Sequence, residues 1–90
     1  MSAALELSAY LEKDGARQPF YLLISEPRSV AGAEDFSCLI HAPLLFKSDK
    51  TIFGADAKQA RSLAVQFVES LVEGRRITDG AGQPIKLGEL

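Results

Sequence analysis

Cys38 is the only cysteine of this chain and His41 its only histidine, and that scarcity excludes a good deal. One cysteine cannot close an intramolecular disulfide, and one cysteine with one histidine cannot complete a structural zinc site. The chain is therefore not a disulfide-stapled secreted scaffold. A surplus of basic charge is missing as well, since 10 lysines and arginines stand against 12 acids for a net charge of -2. Without that surplus there is no electrostatic footprint for non-specific nucleic-acid binding, which disfavours nucleic acid as a partner. Long apolar runs are absent too: the longest, over 20–24 and 39–46, fall far short of the ~20 residues of a membrane-spanning helix. Glu6 interrupts the N-terminal segment before an apolar run reaches signal-peptide length, and no basic stretch precedes it. The expectation is a cytoplasmic protein without membrane association.

What is present suits one small folded unit. The 90 residues (9.7 kDa), 47% hydrophobic and 24% charged, have the composition of a soluble globular chain, read here as one domain over residues 1–90. A compact monomer of that mass exposes about 5,100 Å² of the roughly 14,000 Å² of its unfolded chain, so the core is adequate but thin.

Leu5, Leu7, Ala9 and Leu11 alternate with Glu6, Ser8 and Tyr10, the period-2 pattern of a strand with one apolar face. Asp14-Gly15 follows, the dipeptide best suited to the positive φ values of a tight hairpin. Pro19 lacks the N–H of a ladder bond and belongs near the start, or on the unpaired side, of a second strand in which Phe20, Leu22 and Ile24 share a face. Phe36, Cys38, Ile40 and Ala42 alternate through a third strand. Leu44 to Phe46 and Ile52–Phe53 flank a polar segment that could turn a short hairpin, giving a fourth strand. Asp56 with Gln59 three residues later forms a capping-box pattern, so a helix of about 17 residues is expected from Ala57 to a glycine cap at Gly74. Its stripe is Ala60, Leu63, Ala64, Phe67, Val68 and Leu71. Ile77–Thr78 and Pro84 to Leu87 flank a glycine-rich turn as a terminal hairpin. The fold class expected is α+β, two layers: an antiparallel sheet of three to four strands packed by one long helix, with a short C-terminal hairpin, in the order β-β-β-(β)-α-β-β.

Residues able to carry chemistry are few. Cys38 and His41 stand three apart on a strand, which points them to opposite faces and speaks against a nucleophile–base pair or a shared metal. Glu34–Asp35 reads as a solvated loop, and the glycines at 80 and 82 follow a helix rather than a strand, the wrong context for a phosphate loop. Arg75 and Arg76 are read as cations at the negative end of the helix dipole. No catalytic, cofactor-binding or metal residue is assigned, and no cofactor is expected.

Two surfaces remain unexplained by a single core. One helix cannot cover both faces of a sheet, and the outer face gathers Tyr10, Tyr21, Leu23, Leu39 and His41, the leading candidate interface. A second candidate is the helix flank of Arg61, Val65 and Val72, which the terminal hairpin could instead cover. These surfaces suggest a homodimer, or an unidentified protein partner, with the sheet face favoured because its aromatic and leucine side chains offer more apolar area.

The run Gly54, Ala55, Asp56, Ala57, Lys58, Gln59, Ala60 after a cysteine-bearing strand resembles a family of small uncharacterised bacterial domains with a Gly-x-Asp-x-x-Gln-Ala helix start. That resemblance implies a similar fold and a bacterial origin, with no function attached. The same segment more distantly resembles HicB-type antitoxin modules, whose strand-strand-strand-helix domain opens its helix with a comparable run. This second resemblance implies an antitoxin or nucleic-acid-associated accessory domain, although the Pro-Asp-Leu-Pro-Gly segment of that family has no counterpart here. The function expected is a binding or protein-interaction module without catalytic activity of its own.

Overall fold

The computed structural model describes residues 3–32 and 34–89. It is an α+β architecture in which one helix lies on a six-stranded antiparallel sheet. Strands β1 (Ala3–Lys13) and β2 (Ala16–Ser25) form a long hairpin whose turn is the two residues Asp14 and Gly15, at φ 52° and 80°. Two consecutive positive φ values match the twist that a two-residue hairpin loop needs. Their register sets Leu7 opposite Leu22 and Ala9 opposite Phe20, so the apolar alternation of both strands falls on one face.

After β2 the chain steps past Pro27 into β3 (Arg28–Ser29), which pairs with β4 (Phe36–His41) on the same antiparallel sense as β2 does. The offset between Leu23↔His41 and Arg28↔Ser37 is one residue, so β3 continues β2 across a bulge. Ser25 makes the bulge possible: its Oγ accepts the Leu39 N–H at 2.8 Å in place of a backbone carbonyl. Strand β5 (Lys50–Gly54) pairs with β4, placing Ile52 opposite Cys38 and Phe53 opposite Ser37. The fourth major strand therefore pairs back on β4, whereas Leu44 to Phe46 are no strand. Leu45 and Phe46 N–H groups both donate to the Ala42 carbonyl, a helical turn that ends the alternation after Ala42.

Helix α1 (Ala57–Leu71) runs 15 residues and is shorter than expected because Val72 is already its C-cap. Gly74, at φ +84°, then redirects the chain, and Arg75 and Arg76 lie outside the helix. Strand β6 (Arg76–Thr78) joins the main sheet beside β1, so the expected terminal hairpin is not a separate unit. Its returning arm shrinks to one bridge, Thr78 with Pro84, and the Ile85 N–H donates to the Ile77 carbonyl before a 3₁₀ turn at Leu87–Glu89.

The core lies between α1 and the inner face of the sheet, around Phe20, Leu22, Ile24, Cys38, Ile40, Ala60, Ala64 and Val68, all at most 1% exposed. The helix packs on β4 and β5 and barely reaches β2. Ala42, Leu45 and Phe46 on one side and Ile85 and Leu87 on the other complete the same core. The result is elongated, 47 × 26 × 23 Å, with a radius of gyration of 13.6 Å against the ~12 Å usual for this length. No helix among the described residues is long and apolar enough to cross a membrane.

Candidate functional site: the outer sheet face

The register that buries Leu22 and Ile40 necessarily turns their neighbours outward. Tyr10, Tyr21, Leu23, Leu39 and His41 all stand on the outer face and are half-buried; Tyr21, Leu23 and His41 are neighbours, while Tyr10, opposite Pro19, and Leu39, beside Ser25 and opposite Thr51, lie toward opposite ends of it. A polar chain runs across them. The Tyr21 hydroxyl donates to Glu6 Oε2 at 2.5 Å, the Tyr21 and His41 rings meet edge to face at 6.0 Å, and His41 Nδ1 lies 2.7 Å from Asp49 Oδ1. The Glu6 hydrogen bond is the main cause that raises the Tyr21 phenol above its ordinary pKa of 10.0, with desolvation and the carboxylate's charge adding to it. At the other end, Arg17 sits 4.3 Å over the Tyr10 ring, bridges to Glu12 at 3.3 Å and donates to the Asp79 carbonyl. Thr78, fully buried, donates to the same Glu12 carboxylate. These contacts fasten the hairpin arm to β6.

Between the arm and the loop after β4 lies an open groove of about 540 Å³, lined by Ser8, Tyr10, Pro19, Tyr21, Pro43 and Leu44. It exists because β4 pairs with β2 only at Leu23 and Ile24, leaving the earlier half of β2 without a neighbour. The loop residues Pro43 and Leu44 escape a reading of alternation, since their position depends on where β4 stops. Asp49 escapes it for the same reason.

The arrangement orients an imidazole between Asp49 and the Tyr21 ring. Asp49 fixes the Nδ1 proton and leaves Nε2 as an acceptor in the neutral ring, the half of a triad that positions a base. The only thiol, Cys38, is fully buried on the opposite face, and burial pushes its pKa up, with the Glu26 charge adding and Arg61 opposing. Glu34 and Asp35 are exposed in the loop before β4. Among the described residues no group of three or more histidine, cysteine and acidic side chains could hold a metal ion.

The second candidate surface divides. Val72 is 7% exposed and Val65 packs against the core, while Arg61 is exposed and lines an open cleft with Val65, Leu5 and Leu87. The C-terminal segment covers the valine side of that flank. The opposite flank was expected in the core and is open instead: Leu63 is 37% and Leu71 42% exposed. Phe67 is half-buried and stacks on Phe46 at 6.0 Å.

The Gly-x-Asp-x-x-Gln-Ala run is a strand-to-helix joint. Asp56 accepts the Gln59 N–H at 2.7 Å, and Gln59 Oε1 reaches back to the Ala55 N–H at 2.6 Å. Ala60, fully buried, packs against Gly54. Gly54, Asp56, Gln59 and Ala60 each have a structural task, and none of them lines the groove. Comparison with protein-family models, curated proteins and solved structures finds no match.

Proposed function

We propose that this chain is a protein-interaction module without catalytic activity, binding an apolar segment of another protein on the outer face of its sheet. The observation that carries this reading is that Tyr10, Tyr21, Leu23, Leu39 and His41 stand on a face that no second layer covers, beside an open groove. Tyrosine offers a large apolar body with a polar tip, which suits a surface that alternates between water and a partner. Across the outer face the carboxylates Glu6, Glu12 and Asp49 stand with Arg17, Arg28 and Arg76, so no basic surplus gathers there for a phosphate backbone. A buried thiol and an imidazole with no neighbouring nucleophile supply no hydrolytic centre.

The test is differential capture from the native host with tagged full-length chain, comparing the parent with Tyr21→Asp combined with Leu39→Asp. A protein held by the parent, lost from the variant and rebound by the purified parent at micromolar concentration supports the reading. Capture that is indifferent to both substitutions, in a variant whose circular dichroism is unchanged, refutes it.

A further inference from the structure

We propose that two copies of this chain associate through the free edge of β5 together with the adjoining flank of α1, forming one continuous sheet across a two-fold axis. This surface is separate from the outer-face groove, and the contact leaves that groove open to a different protein.

Stretches of the described strands that lack a strand partner on one side include the outside of β6, the early half of β2, Ala3–Ala9 of β1, which β6 does not reach, and the outside of β5. Beside Ala3–Ala9 runs the C-terminal segment, where Leu87 and Leu5 line one cleft. Outside β6, the Thr78–Pro84 bridge and the Ile85 N–H occupy the edge. Along the early half of β2, Pro19 removes a donor, and Pro43 and Leu44 border the groove there. On β5, the five residues Lys50–Gly54 contain no proline and pair with β4 alone among the described strands. An unblocked edge of this kind is a template for another strand.

The side chains beside that edge are those of an interface core. Helix α1 lies over β4 and β5, and its Arg61 flank faces Leu5 and Leu87, so its other flank overhangs the outside of β5. That flank presents Gln59, Leu63 and Ser70, with Phe67 half-buried against Phe46, while Gln66 and the helix charges Lys58, Arg61 and Glu69 line the cleft on the other side. Depletion of charge around leucine and an aromatic ring distinguishes an interface core from ordinary surface. Phe53, on the other side of the same strand, is 58% exposed. The whole chain exposes 5754 Å², against the ~5,100 Å² of a compact monomer of this mass.

A second copy fits because the edge is self-complementary. Antiparallel pairing centred on Ile52 sets Lys50 of one copy opposite Gly54 of the other, so the strand's one charge never meets itself. Two residues beyond Gly54 lies Asp56, diagonal to that lysine and of opposite charge. Thr51 then faces Phe53, a β-branched residue against an aromatic, a favourable cross-strand pair. The same axis brings the two Leu63–Phe67–Leu71 flanks together above the joined strands.

Sedimentation equilibrium of the full chain reads the mass, and the expected value at tens of micromolar is twice 9.7 kDa. Leu63→Lys with Leu71→Lys, at sites exposed enough to keep the fold, should raise the dissociation constant at least about 30-fold, the scale of an interface hot spot. Tyr21→Asp, on the groove side of the sheet, should leave it unchanged. Register is read separately: a short thiol cross-linker should couple Thr51→Cys to Phe53→Cys in a mixture, while each variant alone couples poorly, Cys38 being buried. A mass of 9.7 kDa that does not rise with concentration, a dimer indifferent to the helix-flank lysines, or cross-linking that is equal in mixed and single variants overturns the proposal.

Discussion

Gly54 lies directly beneath the backbone of Ala60: a Cβ on Gly54 would stand 2.4 Å from the Ala60 nitrogen and 2.7 Å from its Cα. The neighbour is main chain in a helix turn, so it cannot swing away as a side-chain tip would. Gly54 is not at positive φ, and the requirement is therefore close approach rather than backbone conformation. Gly54→Ala should force the first turn of α1 off β5 and destabilise the protein by about 1–3 kcal/mol, the usual range for overpacking. Urea denaturation followed by circular dichroism measures it, and an unchanged midpoint would show that the joint yields.

Asp56→Ala should cost about 1 kcal/mol, because the Gln59 N–H loses its side-chain acceptor at the helix start. Asp56→Ser should restore most of that loss, since serine also caps. An alanine variant as stable as the parent would mean that water replaces the carboxylate without penalty.

Alternation made the two sheet faces legible from the sequence. Leu5, Phe20, Leu22, Ile24, Cys38 and Ile40 are buried, and Tyr10, Tyr21, Leu23, Leu39 and His41 lie opposite, because period 2 is imposed by the strand itself. The helix flanks were not legible in the same way. Leu63, Phe67 and Leu71 on one side and Val65 and Val72 on the other make a wide apolar arc, and only the strand order decides which part of it faces the sheet. Here α1 sits over β4 and β5, near the sheet edge, so Leu63 and Leu71 stay exposed and Phe67 rests on Phe46, while Ile85 and Leu87 pack beside the valine flank. Leu44 to Phe46 misled for a related reason: a run of three apolar residues is compatible with a strand or with the turn that caps Ala42.

Tyr21 gives a pH dependence with a definite sign. Its folded pKa is raised above the model-compound value of 10.0, chiefly by the hydrogen bond to Glu6. The neutral phenol is the stabilised form, so this contribution is fully present below pH 10 and is lost as pH rises through the folded pKa. Relative to Tyr21→Phe, the parent should lose stability above pH 10, while Glu6→Gln should bring the Tyr21 phenol back toward its ordinary titration. Tyrosinate absorbance of parent minus Tyr21→Phe follows the group directly, and a titration at or below pH 10 would show the Glu6 contact to be absent in solution.

Cys38, fully buried and with its thiol pKa raised by desolvation, should resist aromatic disulfide reagents in the native state. Its modification rate should climb with urea in step with unfolding. Rapid labelling in buffer alone would place the thiol at the surface and reverse the inner and outer faces of β4.

Leu71 and Val72 are adjacent, and the same substitution should have opposite consequences at the two positions. Val72 is 7% exposed and closes the core against the C-terminal segment, whereas Leu71, the last residue of the helix, is 42% exposed. An aspartate at position 72 would put a carboxylate into the apolar contact with Ile77, Ile85 and Leu87, in a cleft that Arg75 and Lys86 also line, at a cost of about 3 kcal/mol, the upper end of what single substitutions usually produce. That is a large share of the ~5–15 kcal/mol that holds a small domain together, so Val72→Asp should lower the urea and thermal midpoints well below those of the parent. At position 71 the carboxylate stays in water. Leu71→Asp should therefore keep the native circular dichroism and a urea midpoint near that of the parent, while weakening association between copies. Thermal denaturation and sedimentation of the two variants side by side separate the cases. A Val72→Asp variant that keeps the parent's midpoints but dissociates into monomers would move the contact to the valine flank, and an unfolded Leu71→Asp would return that leucine to the core.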